Sequence, residues 1–302
     1  MTKSILVVSL GALLFGGGAP SLVWEEDGHL IVNRAAAQRL PADMPAFFRA
    51  AEDRLAWLGP EPDRWREESE PALKAAQEPD HYLKFELLGE DFEFPPDRYA
   101  FYAALEDLRD QREAAGEDPD ALLPERVGLQ LYVTVELYDR LVVAFRQYRT
   151  LIADGEPTEL VDGNIVLYAG WLGHYVADGA QPQHTSVQYD GWSGPNPNGY
   201  SGPGLHYRFE GQFVHDNITV EDIVPRVAPP TRLDDPYNDY LAFLRSSHEL
   251  VEDVFRIDRD GGFTGAGTPE GLEFAKTRLA AGAQMLLDLW YTAWLESAEN
   301  PE

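Results

Sequence analysis

Apolar positions recur every three or four residues over most of the chain, and few windows alternate with period two. The spacing predicts helices over 28–40 and 45–58, the second stopped by Gly59, Pro60 and Pro62. Segment 97–115 mixes aromatic and acidic positions as an amphipathic helix does. A long periodic run covers 125–152, carried by Val127, Leu131, Val135, Leu137, Leu141 and Phe145. The run 159–178 is apolar almost all round, which places it in the core. Segments 236–257 and 269–297 read as two further helices. Residues 185–205 form a polar stretch rich in Gly, Pro and Asn, and a loop of that length in a compact domain is usually functional or mobile. With no internal repeat and no clear linker, the expectation is an all-α fold, a single mostly helical domain over 24–302.

Composition narrows the class. The 302 residues suffice to bury a sizeable core, and 44% hydrophobic with 25% charged residues excludes a disordered, collagen-like or multi-span membrane chain. Against 24 Lys and Arg stand 52 Asp and Glu, a formal charge of −28. Such a chain repels phosphate backbones on average, so a nucleic-acid ligand needs a local positive centre such as metal ions. With no Cys there is no disulfide framework and no thiolate chemistry. At the N-terminus, Lys3, the apolar run 5–15 and the small residues Gly16 to Ala19 have the order of an export signal. Residues 1–23 are therefore expected to be a signal peptide and the protein to be exported, periplasmic or secreted. The cleavage site is open: small residues favour a cut after Ala19, whereas a cut after Val23 makes Trp24 the first mature residue.

Candidate chemistry lies in the histidines. His174 and Asp178 are four apart, so on a helix they share one face, and that helix is otherwise apolar. An ionised Asp there needs a strong partner. His184 follows just beyond the Gly179 and Pro182 that end the helix. The plain alternative is a hydrogen-bonded His–Asp pair inside a core. A second pair, His206 and Glu210, is again four apart, and two such pairs separated by a loop look like a bundle core that holds metals. The plain alternative for this pair is a surface contact of little energy. Upstream, Asp63, Asp80 and His81 add ligand-type residues, weak evidence one at a time.

Taken in order, Trp24 with His29, then Asp63, His81, His174 with Asp178 and His184, then His206 with Glu210, resemble one family. It is the trinuclear-zinc phosphodiesterases: the single-strand-specific nucleases of fungi and plants with the bacterial zinc-dependent phospholipases C. The resemblance spans residues 24 to 210 and is strongest at Gln181-Pro182-Gln183-His184. It implies a helical fold with metals at the bottom of a cleft, and three Zn²⁺ ions. Carried over by position, Asp63, His81, His174 and Asp178 would hold one ion, and His184, His206 and Glu210 a second. His29, Asp178 and the backbone of Trp24 would hold the third. Asp63 and Asp178, together with Arg66, form the catalytic set so implied. The implied reaction is in-line attack on phosphorus by a water whose pKa zinc lowers toward 7.

Within that family the substrate is either single-stranded nucleic acid or a phospholipid. Arg66, three residues after Asp63, is a candidate phosphate contact, and Tyr82, after His81, is a candidate surface for a base. Both are expected to bind substrate, and they favour the nuclease branch. Glu210, where the nucleases carry Asp, points toward the phospholipases. Trp192, Tyr200 and Tyr207 are candidates for a quaternary-ammonium cage. A third reading is a non-catalytic exported module stabilised by zinc. His215 and His248 are expected outside the metal set, and Trp290 with Trp294 are expected to pack.

Overall fold

The computed structural model describes residues 25–299; the expected signal 1–23 and Trp24 lie outside them. Among the described residues fourteen α-helices follow one another: α1 (Glu25–Ala37), α2 (Ala46–Arg49), α3 (Glu52–Leu58), α4 (Glu61–Arg64), α5 (Pro71–Gln77), α6 (Arg98–Ala115), α7 (Pro124–Val127), α8 (Gln130–Asp154), α9 (Glu159–Ala180), α10 (Val214–Asn217), α11 (Val220–Ile223), α12 (Pro236–His248), α13 (Val251–Arg259) and α14 (Pro269–Glu296). The described residues contain no strand, and the protein is all-α. None of their helices is long and apolar enough to cross a membrane.

Local signals set many of the ends. Asp97 accepts hydrogen bonds from the backbone N–H groups of Tyr99 and Ala100 at the start of α6, and Gly116, at φ 76°, ends that helix. Thr268 caps α14, with Pro269 at its first position. Two expected helices are each broken in two. The segment 45–58 bends at Ala50 and Ala51, and Phe48 thereby turns edge-on to Phe145 and Trp290. The segment 236–257 bends at Glu249 and Leu250, separating α12 from α13. The helix expected from 125 starts at Gln130 instead, because Gly128, at φ 100°, separates α7 from α8. A Cβ at Gly128 would stand 2.0 Å from the Tyr82 carbonyl oxygen.

Helix α9 is the central element. It packs against α8, α14, α3 and α1, as its all-round apolar character requires. Trp290 of α14 is fully buried and donates its indole N–H to the Ala169 carbonyl, 3.1 Å away. Glycines permit the close crossings. A Cβ at Gly173 would meet the Asn33 side chain at 2.0 Å, and one at Gly170 would meet Leu58 at 2.5 Å. The Asn33 amide, on α1, donates to the carbonyls of Leu55 on α3 and Gly170 on α9, both at 2.9 Å. One buried side chain thus ties together three helices that carry or border candidate ligands. Asn33→Ala should remove both bonds and lower stability by roughly 2–3 kcal/mol, or about 5–10 °C in the thermal midpoint. An unchanged midpoint in calorimetry would show that the crossing does not depend on Asn33.

Candidate metal centre

The fold brings together eight of the nine residues expected as metal ligands; the ninth, Trp24, lies outside the described residues. His29 comes from α1, Asp63 from α4, and His81 from the 3₁₀ turn Glu78–His81. His174 and Asp178 stand one turn apart on α9, and His184 lies in the 3₁₀ turn Pro182–Thr185. His206 and Glu210 sit at the start of a π-helical stretch, Tyr207–Phe213, of the kind that often marks functional sites. The ligand atoms fall into three groups: His29, His174 and Asp178; Asp63, His81 and His174; and His184, His206 and Glu210.

Asp178 is central. Its Oδ1 lies 3.4 Å from His29 Nε2 and 3.7 Å from His184 Nε2. Its Oδ2 lies 3.1 Å from His81 Nδ1 and 3.3 Å from His174 Nε2. Asp63 reaches His29 Nε2 through Oδ2 and His81 Nδ1 through Oδ1, both at 3.6 Å. Glu210 Oε2 is 3.2 Å from His184 Nε2 and 2.6 Å from His206 Nε2. It also accepts a hydrogen bond from the Gln181 amide at 2.8 Å.

Backbone carbonyls fix the imidazoles. His174 Nδ1 donates to Gly59 O at 2.9 Å, His184 Nδ1 to His81 O at 2.6 Å, and His206 Nδ1 to Tyr189 O at 2.9 Å. A carbonyl can only accept, so each neutral ring directs its Nε2 lone pair into the cluster. Gly59 therefore does more than stop a helix: a Cβ there would stand 2.7 Å from the His29 carbonyl oxygen. No motif announces these carbonyls, which appear only once the chain is folded.

The arrangement fits cations. His206 Nε2 and Glu210 Oε2, at 2.6 Å, have the spacing of a hydrogen-bonded pair, and a cation shared by both would set them farther apart. Three carboxylates share this buried volume, with Asp178 2% exposed and Glu210 3%. Burying carboxylates costs several kcal/mol each without opposite charge. Arg66 offsets part of it, with Nη1 3.1 Å from Asp63 Oδ1. Ligands of a tetrahedral Zn²⁺ at about 2.0–2.1 Å stand roughly 3.3 Å apart, close to most of the separations here. Imidazole and carboxylate are the donors zinc takes.

Electrostatics agree. Burial disfavours ionised Asp178, yet His184 and His174 hold its carboxyl well below the usual range. Burial likewise opposes ionised Glu210, but His206 and His184 keep it low. Burial pushes His184 down, while Asp178 and Glu210 outweigh it and lift the imidazole to about 10. Burial dominates at His81, lowered to about 4, and at His29, also lowered. Without metal, a proton on His184 stands in for a cation.

A cavity of about 320 Å³ opens over this cluster, with His81, His184 and His206 on its floor. Arg66 and Tyr82, the two residues expected to bind substrate, line it. Lys84, Tyr189 and the acidic Glu78 and Asp190 line it too, and no sequence pattern singles them out. A smaller cavity, about 30 Å³, touches His29 and Glu210 from the apolar side and has room for about one water. The aromatic cage is not formed: Trp192 and Tyr200 pack against Phe255, and neither lines the larger cavity. Asp80 is buried outside the cluster, and its charged neighbours are Arg98 and Glu136. His215 pairs with Asp27 and His248 meets Thr185 and Phe85, so both stay outside, as expected.

The chain matches no family model and no characterised protein.

Zinc should compete with protons here. His184, raised from 6.5 to about 10, stabilises the metal-free protein fully below pH 6.5, and that contribution is lost as pH rises through 10. Zinc must displace this proton, so its stabilising effect should grow with pH. For one proton the gain between pH 6 and pH 8 is roughly 2–3 kcal/mol at fixed free zinc. Thermal unfolding of chelator-stripped protein with and without zinc measures it. A zinc effect that is flat or falls over this range would contradict the assignment.

Proposed function

We propose that this protein is an exported zinc-dependent phosphodiesterase that hydrolyses single-stranded nucleic acid. The observation that carries the reading is the cavity of about 320 Å³, floored by three histidines of the cluster and lined by Arg66. Export rests on the residue order at the N-terminus.

The eight clustered ligands would hold the ions, with Asp178 placed to serve more than one. Bound zinc lowers the pKa of water toward neutrality and offsets charge on a phosphate. The chain's own residues supply position. Arg66 donates to Asp63 through Nη1 and lines the cavity, where a planar guanidinium suits a phosphate oxygen. Tyr82 is fixed by its hydroxyl, which donates to the Glu125 carbonyl at 2.6 Å. The half-exposed rings of Tyr189 and Tyr207 border the same cavity and offer faces on which bases stack without sequence preference. The net charge of −28 is no obstacle once cations occupy the floor.

Hydrolysis of single-stranded DNA and of phosphatidylcholine by the zinc-loaded protein tests the reading. Nucleotide release should stop with chelator and return with zinc. Arg66→Ala should lower kcat/KM on DNA by about 10- to 100-fold, the worth of a charge-assisted hydrogen bond. Lipid cleavage without DNA cleavage would move the protein to the phospholipase branch. Cleavage of neither would leave a non-catalytic zinc module.

A further inference from the structure

The described chain carries few lysines, and two of them have carboxylate partners: Lys74 with Glu68, and Lys276 with Asp222. Lys84 makes no close ion pair; Glu78 and Glu86 act on its charge only from a distance. Its ammonium lies 4.3 Å from the centre of the Tyr82 ring and 5.5 Å from that of Tyr189. All three residues line the cavity over the metal cluster. The backbone holds Lys84 there. Its N–H donates to Val127 O at 2.8 Å, and the neighbouring Leu83 N–H donates to His184 O at 2.9 Å. The segment bearing Lys84 is thus bonded to the one bearing a cluster histidine. A half-buried ammonium forgoes hydration, and two ring faces return only part of it. Glu78 and Glu86 act on the ammonium without a close ion pair, which leaves its N–H donors available to an arriving anion.

We propose that Lys84 forms a second phosphate subsite, which takes the phosphate next to the scissile one in a nucleic-acid strand. This rests on the phosphodiesterase reading above and deepens it. Arg66, tied to Asp63, serves the phosphate at the cluster. Lys84, flanked by two tyrosine rings, serves its neighbour. Cation and aromatic faces side by side match the alternation of phosphate and base along a strand. A substrate with one phosphate uses only the first of these cations.

The test compares the zinc-loaded full chain with its Lys84→Met and Lys84→Arg variants. Rates are measured on bis(p-nitrophenyl) phosphate, which carries one phosphate, and on a thymidine tetranucleotide. Binding of a fluorescent thymidine tetranucleotide and dinucleotide is measured alongside. In Lys84→Met, the ratio of kcat/KM on the tetranucleotide to that on the small diester should fall about tenfold, mainly through KM. Lys84→Arg should retain most of the ratio. The preference for binding tetranucleotide over dinucleotide should fall in parallel. An unchanged ratio and an unchanged binding preference in Lys84→Met would overturn the subsite while leaving the phosphodiesterase reading intact. Failure of wild type to cleave either diester would overturn that reading. The subsite would then stand or fall on binding, and a wild type with no preference for the longer strand would end it.

Discussion

Three carboxylates and five imidazoles converge in a largely buried cluster within a helical domain, and their charge must be balanced. With neutral imidazoles the volume carries three negative charges, of which Arg66 offsets part. Protons on histidine are one remedy, as the elevated His184 shows, but each then excludes a ligand lone pair. Cations are the other remedy, and they also turn the repulsion between facing lone pairs into coordination. Asp178 depends on this most, since α9 is apolar on nearly every other face and offers the carboxylate no water.

The surrounding helices answer the same constraint. Ligands must be held to within a fraction of an ångström, and long side chains on loops do not achieve that unaided. Here α1, α3 and α9 are clamped by Asn33 across glycines, which fixes His29 relative to His174. Carbonyls from Gly59, His81 and Tyr189 lock three rings from outside. The loop 185–205, expected to be functional or mobile, is pinned internally: Trp192 N–H donates to Ser201 O, and Leu205 N–H to Asp190 O. It thereby delivers Tyr189 to the cavity wall, with its carbonyl toward His206. One residue links the cavity wall to the histidine cluster.

Much of this was legible in the residues. Helical periodicity identified an all-α chain, and spacing of four placed His174 with Asp178 and His206 with Glu210. The second pair was read correctly as a pair even though its backbone widens into a π-helix, because that change leaves the two side chains in contact. The bends at Ala50 and Glu249 were not legible, since neither site carries Pro or Gly and tertiary packing decides them. Lys84 was missed for a related reason. What distinguishes it is its place against two tyrosine rings over the cluster, and no linear pattern records that. The cage failed because Trp192 and Tyr200 have a better use against Phe255 in the core.

The central claim is that cations, not protons, balance the buried carboxylates. Anomalous diffraction from crystals of the zinc-loaded protein, collected on both sides of the zinc absorption edge, tests it most directly. The account predicts peaks within the ligand groups, one bordered by His184, His206 and Glu210 and at least one by Asp178. An empty map there, with His184 and Glu210 still in direct contact as a protonated pair, would contradict it.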